Sequence, residues 1–109
     1  MPMRRAAEES GMADGRAMPP RRLQDLISVG SAFLRDFELL GVRSIGQLAR
    51  RNPEKLYEGL CRVTGKAQDI CCLDVFRAAV AQARNRNLPI EQCQWWYWSR
   101  QRKARDARG

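Results

Sequence analysis

The residues best suited to chemistry surround a glycine turn near the start of the chain. The turn, Leu26–Gly30, precedes an amphipathic segment that Ser31 could cap and Gly41 could end as a helix. N–H groups in the first turn of a helix have no partner within it and, with the helix dipole, attract anions. Glycine lets a phosphate approach such a turn, because no Cβ intervenes. The expected phosphate-binding residues are Val29, Gly30, Ser31 and Ala32, with the nearby cations of Arg35, Arg43, Arg50 and Arg51.

Two short helices would have to position this turn. Apolar residues recur at helical spacing on both sides of it, in residues 23–27 and in residues 33–40. The arrangement resembles the helix-hairpin-helix unit, with which many proteins hold DNA by its backbone. The usual hairpin reads apolar-Pro-Gly-apolar-Gly, and here Ser28 stands in place of the first glycine and Gly30 in place of the second. The alternative is a helical turn that requires Gly30 for its geometry alone.

Two capping signals predict helices in the middle of the chain. Ser44 and Gln47 have the spacing of a capping box at the start of a short helix. Asn52-Pro53-Glu54 supplies a cap, a proline at the first helical position and an acid that favours the dipole. We expect this second helix to run to about Thr64 and to end at Gly65. Its buried side chains are expected to be Leu56, Tyr57, Leu60 and Val63.

Asp69 is suited to capping the longest helix, Ile70–Arg86. Apolar residues cover nearly all of its circumference, which predicts that it is the buried centre of the domain. Asp74 and Arg77 lie on its narrow polar stripe and are expected to form a local ion pair. No strand pattern occurs, so the sequence predicts an all-α fold. We expect a compact bundle of about five short helices, helix-hairpin-helix or SAM-domain-like.

Positive charge is concentrated at the C-terminal end of the 109 residues. The net charge of +8 favours polyanionic partners, with DNA first. Residues 1–20 lack periodicity and are expected to be a disordered segment. Residues 21–98 are expected to form the domain, and residues 99–109, which carry half of the excess charge, a solvated basic tail.

The cysteine spacing and the lack of export signals argue against a membrane, secreted, metal-binding or redox protein. No apolar run is long enough to span a membrane, and no apolar core follows Arg4 and Arg5 as in a secretory signal. We therefore expect a cytoplasmic protein with reduced thiols and no membrane partner. The cysteines lack CxxC spacing and the chain has no histidine, so neither a metal nor another cofactor is expected. A Cys61–Cys71 redox pair is unsupported, and no catalytic set of an enzyme is present.

Trp95, Trp96 and Trp98 lie just before the basic tail and have two interpretations. They could stack on unpaired bases or meet a partner while nearby arginines hold phosphate. Alternatively, they could anchor the C-terminal segment on the long helix. Three tryptophans in four positions cannot share one face. We therefore favour anchoring for at least two of them and exposure for the rest.

The order of several segments resembles the small bacterial proteins of the pathogenicity-locus family, some of which are labelled mitomycin-resistance proteins. The segments are LISVGSAFLRDFELLGVRSIGQLARRNPEKLYEGLC, TGKAQDICCLDVFRAAVAQAR and WWYW, and together they cover about Leu23 to Trp98. Cys61 and Cys71 correspond to family positions, whereas Cys72 is additional. The resemblance implies a helix-hairpin-helix fold and DNA binding.

Non-sequence-specific DNA binding through the hairpin turn is therefore the first functional hypothesis. The alternative is a protein-interaction module that uses the hairpin surface or the Trp-rich segment. A thiol redox or metal protein is a third hypothesis of low weight.

Overall fold

Five α-helices and two short 3₁₀ turns make up residues 21–108, the part of the chain that the computed structural model describes. The helices are α1 (Ser31–Leu39), α2 (Ile45–Ala49), α3 (Pro53–Thr64), α4 (Cys71–Arg84) and α5 (Trp95–Arg108). The 3₁₀ turns are Leu23–Asp25 and Ile90–Cys93. These residues contain no strand, so the predicted all-α class is confirmed. None of these helices combines the length and the hydropathy required to cross a membrane. The expected disorder of residues 1–20 concerns residues outside the described part.

α4 is the centre of the fold, as its composition predicts. It packs against α2, α3, α5 and the second 3₁₀ turn. Phe76 is fully buried on α4, and the rings of Phe33 and Phe37 from α1 lie 5.8 and 5.7 Å from it, centroid to centroid. The helix ends at Arg84, two residues earlier than expected, because Asn85 takes an extended conformation. Phe76 thus contacts both other rings at the apolar core, where aromatic side chains contribute large buried surfaces.

Most of the predicted caps are present. Ser44 Oγ accepts a hydrogen bond from the Gln47 N–H at 3.1 Å, although the Gln47 side chain reaches back to the N–H of Arg43 rather than of Ser44. Asn52 Oδ1 accepts from the Lys55 N–H at 3.1 Å. Asp69 Oδ1 likewise accepts from the Cys71 N–H at 2.9 Å.

Two glycines end helices in the left-handed conformation, as their positions predict. Gly41, with φ of 76°, follows α1, and Gly65, with φ of 72°, follows α3. The N–H of Val42 then donates to the Phe37 carbonyl at 2.8 Å, which satisfies the end of α1. On α3, the expectation of a buried Val63 is wrong, since 53% of its surface is exposed, and Tyr57 is only half-buried.

The expected first helix of the hairpin is wrong. Only Leu23–Asp25 is helical, as a 3₁₀ turn, and Leu26 is extended with a buried side chain. An α-helix would need the Ile27 N–H to bond to the Leu23 carbonyl. The Gln82 side chain accepts that N–H instead, and the carbonyl takes the N–H of Leu26. The side chain of α4 therefore competes with helix formation here.

The expected solvated tail is wrong for Ser99 and Arg102, because residues 99–108 continue helix α5 and these two side chains pack on the domain, while residues 100, 101 and 103–107 are exposed as expected. Ser99 is buried, and the Arg102 guanidinium forms an ion pair of 2.9 Å with the fully buried carboxylate of Asp74. The expected pairing of Asp74 with Arg77 is therefore wrong as well. Arg77 pairs at 2.7 Å with Glu54 of α3, so Asp74 and Arg77 each hold a different helix to α4.

Candidate nucleic-acid interface

The turn before α1 takes its left-handed residue from Ser28, not from Gly30. Ser28 has φ of 74°, whereas Gly30 is extended with φ of −94°. The Ser28 hydroxyl donates to the Cys93 carbonyl at 3.2 Å and accepts the N–H of Trp95, the first residue of α5, at 3.1 Å. The residue that departs from the usual hairpin pattern therefore joins the turn to the start of α5. Sequence reasoning gave it no role beyond a missing glycine.

The buried side chain of Gln82 fixes the same turn to α4. Its Oε1 accepts from the Ile27 N–H at 3.0 Å, and its Nε2 donates to the Ile27 carbonyl at 2.9 Å. Both backbone groups of one turn residue are thus satisfied by one amide. The nearest sequence signal is a single glutamine within an apolar helix, which does not indicate its partner.

The first turn of α1 presents its backbone outward. Gly30 occupies the capping position, so the expected Ser31 cap is wrong, and Ser31 is the first helical residue. No side chain from residues 21–107 caps this end. Among the described residues, the N–H groups of Ser31 and Ala32 have no acceptor, and both residues are exposed. Val29 does not contribute as expected, because its N–H faces the Leu26 carbonyl at 3.4 Å and its side chain packs on the core.

A groove of about 620 Å³, which we call the basic groove, lies beside the start of α1. Ser31 lines it, and Glu38 is the acid that faces it. Its cations are Arg21, Arg22, Arg35 and Arg43. Arg35 and Arg43 are thus brought together as expected.

Arg21 and Arg22 are additional members that sequence reasoning missed, because they precede the hairpin and belong to no motif. The Arg21 guanidinium donates to the Gln82 carbonyl at 2.8 Å, which holds it at the C-terminal end of α4. The other two expected cations do not line the basic groove. Arg50 is exposed at the end of α2, and Arg51 is half-buried and donates to the Leu40 carbonyl at 3.4 Å.

A second groove of about 580 Å³, which we call the aromatic groove, adjoins the first, and Ser31 lines both. It is bounded by the beginnings of α1, α4 and α5. Its larger side chains are Phe33, Asp69, Cys71, Cys72, Val75 and Trp95. Gly30 and Ala32 line the same groove, so the exposed turn forms one of its walls.

The three tryptophans have different environments. Trp98 is half-buried, and its Nε1 donates to the Gln92 carbonyl at 2.8 Å, which anchors the start of α5. Trp95 and Trp96 keep 40% and 37% of their surface exposed, so fewer tryptophans are anchored than expected. Trp95 lines the aromatic groove, whereas the Trp96 ring carries the Arg100 guanidinium at 4.6 Å.

Comparison with known proteins places these features in a family. A family model described as "Pathogenicity locus" matches residues 17–104, which include both grooves and most of α5. The chain belongs to the pathogenicity locus family. "Mitomycin resistance protein McrB" of Streptomyces lavendulae is 38% identical over 81 residues, which cover 74% of this chain and 73% of that protein. No solved structure matches the chain.

Two of the cysteines, Cys71 and Cys72, lie in environments that disfavour the thiolate form. All four lie in the described part of the chain and are unpaired, and no group of three or more metal-ligating side chains occurs there. Burial raises the pKa of the Cys71 thiol, and a hydrogen bond to Asp69 raises it further. Burial, followed by the charge of Asp36, does the same for the pKa of Cys72. Both groups are therefore neutral thiols at neutral pH, and neutral thiols are poor nucleophiles and metal ligands.

We expect alkylation of Cys71 and Cys72 to be slow at neutral pH. Because both thiol pKa values are raised, the reactive thiolate should accumulate only as pH rises beyond the ordinary cysteine value of about 8.5. Iodoacetamide labelling followed by mass spectrometry across a pH series would measure each rate, with the Cys71→Ser and Cys72→Ser variants confirming the assignments. A rate that reaches its plateau near neutral pH would contradict the expectation.

Proposed function

We propose that this protein binds DNA without reading its sequence, by holding backbone phosphates in the basic groove beside the start of α1. One observation carries the proposal. Four arginines from three separate segments converge on a groove that also contains the exposed first turn of a helix. Guanidinium groups suit phosphate oxygens, and free N–H groups at a helix start add a further anion site. Contacts to phosphate fix the position of a protein on DNA but carry no base information.

The charge balance of the basic groove supports a polyanion over a neutral ligand. Arg22, Arg35 and Arg43 are exposed, and Glu38 is the acid among the lining residues. Ser28 stands in place of the first hairpin glycine and takes the left-handed conformation, which supports interpreting the turn as helix-hairpin-helix-like with only a 3₁₀ turn before it. We propose binding without catalysis, in the cytoplasm, where unpaired thiols are stable.

Reversing one charge in the groove is expected to weaken DNA binding and its dependence on salt. Arg35→Glu should lower affinity for a short duplex by about tenfold or more, because like charges then face each other. Log K of the unaltered protein should fall with log salt by ~0.9 per phosphate neutralised, and the slope should be smaller in the variant by about one. Fluorescence anisotropy of the full chain with labelled duplex across a salt series would measure both quantities.

Arg50→Glu is the matched control, since it makes the same charge change at an exposed arginine that does not line the groove. Gly30→Glu tests the turn itself. A Cβ at Gly30 would meet nothing within 4 Å and the backbone is extended there, so this variant should fold, as circular dichroism would verify. Equal losses in Arg35→Glu and Arg50→Glu would contradict the basic groove as the binding site.

A protein-interaction module is the second candidate function, and one observation favours it. Trp95 and Trp96 are consecutive, and both are more than one-third exposed. Exposed aromatic side chains of this kind are enriched at the surfaces where proteins bind partners. Failure of the full chain to bind duplex or single-stranded DNA at low salt would favour this function over DNA binding.

A further inference from the structure

We propose that the DNA held by this protein contains an unpaired nucleotide, whose base enters the aromatic groove against Trp95 while its phosphates remain in the basic groove. The inference rests on the proposed function, because it assigns the structural class of DNA that the same surface binds. It is carried by the junction of two unlike grooves at Ser31.

The two grooves differ in charge as the phosphate and the base of a nucleotide do, since one binds negative charge and the other suits a neutral group. The basic groove presents four arginines and one glutamate. The aromatic groove presents one charged side chain, Asp69, whose pKa is held low by hydrogen bonds from the Cys71 N–H and from the Cys71 thiol. That carboxylate is therefore ionised at neutral pH and repels phosphate. A neutral base suits the aromatic groove, and the backbone suits the basic groove.

The walls of the aromatic groove suit the face of a base. Trp95 offers an indole that is 40% exposed, and the half-buried Phe33 adds aromatic surface to the lining. The volume of about 580 Å³ lies within the range of roughly 300–1,000 Å³ that is usual for small-ligand sites. Stacking on an aromatic side chain tolerates any base, because every base has a π-face. The site therefore agrees with binding that does not depend on sequence.

Contacts within the protein hold the backbone at Trp95 and the ring of Phe33, on two sides of this groove. The hydrogen bond of 3.1 Å between the Trp95 N–H and Ser28 Oγ ties the start of α5 to the turn. Phe33 is held edge-on against Phe76, with an interplanar angle of 88°. A base within a duplex is stacked on its neighbours and paired, so reaching this groove requires a base that is already free or is turned out of the helix.

The test compares single-stranded DNA with duplex DNA of the same sequence, using the full chain and two tryptophan variants. Trp95→Ala should weaken binding of the single strand by about 5- to 150-fold, which corresponds to the loss of one stacked base. It should leave duplex affinity unchanged. Trp96→Ala is the matched control, because Trp96 is exposed to a similar degree but does not line the groove. Fluorescence anisotropy measures all the affinities.

Thiol protection supplies an independent readout of the same groove. Cys71 and Cys72 line it, whereas Cys61 is half-buried outside it and serves as the internal reference. Saturating single strand should slow alkylation of Cys71 and Cys72 at alkaline pH without slowing that of Cys61, and duplex should not.

The outcomes separate this inference from the proposed function. If duplex binds in the basic groove but Trp95→Ala leaves single-strand affinity unchanged, or if both tryptophan variants lose affinity equally, the unpaired nucleotide is overturned and phosphate binding stands. If neither form of DNA binds the unaltered protein, both proposals fail.

Discussion

Arg102→Met is expected to lower the free energy of unfolding by about 3–5 kcal/mol, because it leaves a buried carboxylate without its partner. The Asp74 side chain is fully buried, and Arg102 holds both of its oxygens, with Nη2 2.9 Å from Oδ2 and Nε 3.2 Å from Oδ1. Asp74 has no other side-chain hydrogen-bond partner within residues 21–107. Urea unfolding followed by circular dichroism would measure the change.

Two further variants separate loss of the ion pair from loss of packing. Lys103→Met alters the neighbouring exposed residue of α5 and should change stability by no more than about 0.5 kcal/mol. The double variant Asp74→Leu with Arg102→Met removes both charges and should be more stable than Arg102→Met alone, since no unpaired charge then remains in the core. An Arg102→Met protein as stable as the unaltered one would show that α5 is not held to α4 by this pair.

The Asp74–Arg102 ion pair also affects the aromatic groove, because it holds the helix that carries Trp95. α5 begins at Trp95, and the buried Ser99 and the Asp74–Arg102 pair hold the helix that follows it to the domain. Loosening α5 would therefore let Trp95 move relative to the turn. We infer that this ion pair, which lies next in sequence to the groove residue Val75, helps to fix the position of the stacking residue.

Capping residues and glycines predicted the helix ends well, because each of them acts on backbone groups within a few residues of itself. Ser44 and Asn52 each cap a helix through an N–H three residues later, and Asp69 does so two residues later. Gly41 and Gly65 end helices by a conformation that other residues seldom adopt. In each case the physical cause and its effect occupy one turn of chain, so the sequence alone contains both.

Contacts across the fold could not be predicted in the same way. Helical spacing assigned Asp74 to Arg77, three residues away, whereas its partner Arg102 is 28 residues away. The reason is that α5, of which only residues 99–108 were expected as a solvated tail, packs along α4 and brings Arg102 to a carboxylate that has no access to water. A buried carboxylate gains more from a bidentate guanidinium than an exposed neighbour could supply.

The candidate site divides along the same line. The start of α1 and the cations Arg35 and Arg43 follow from the hairpin pattern. The pattern does not show that Arg21 lines the basic groove, that Arg50 does not, or that the two grooves meet at Ser31. These features depend on how α4 and α5 pack.

Gln82→Met is expected to lower the free energy of unfolding by about 2–4 kcal/mol and to free the turn before α1. Methionine keeps an unbranched side chain of similar length but makes none of the hydrogen bonds to the N–H and carbonyl of Ile27. Each backbone group left unpaired in a partly buried site costs about 1–3 kcal/mol. Urea unfolding would measure the loss, and Gln101→Met, at an exposed glutamine of α5, is the control.

Hydrogen exchange would show where the Gln82→Met protein has changed. The Ile27 amide should exchange faster in this variant, because its acceptor is gone. Amides in the middle of α3 should exchange faster only to the extent that global stability falls. Because the turn sets the position of Ser31 between the two grooves, DNA affinity should fall as well, even in conditions where the variant is fully folded. Unchanged exchange at Ile27 would mean that the turn holds its shape without α4, and the wall shared by both grooves would then be a property of residues 26–32 alone.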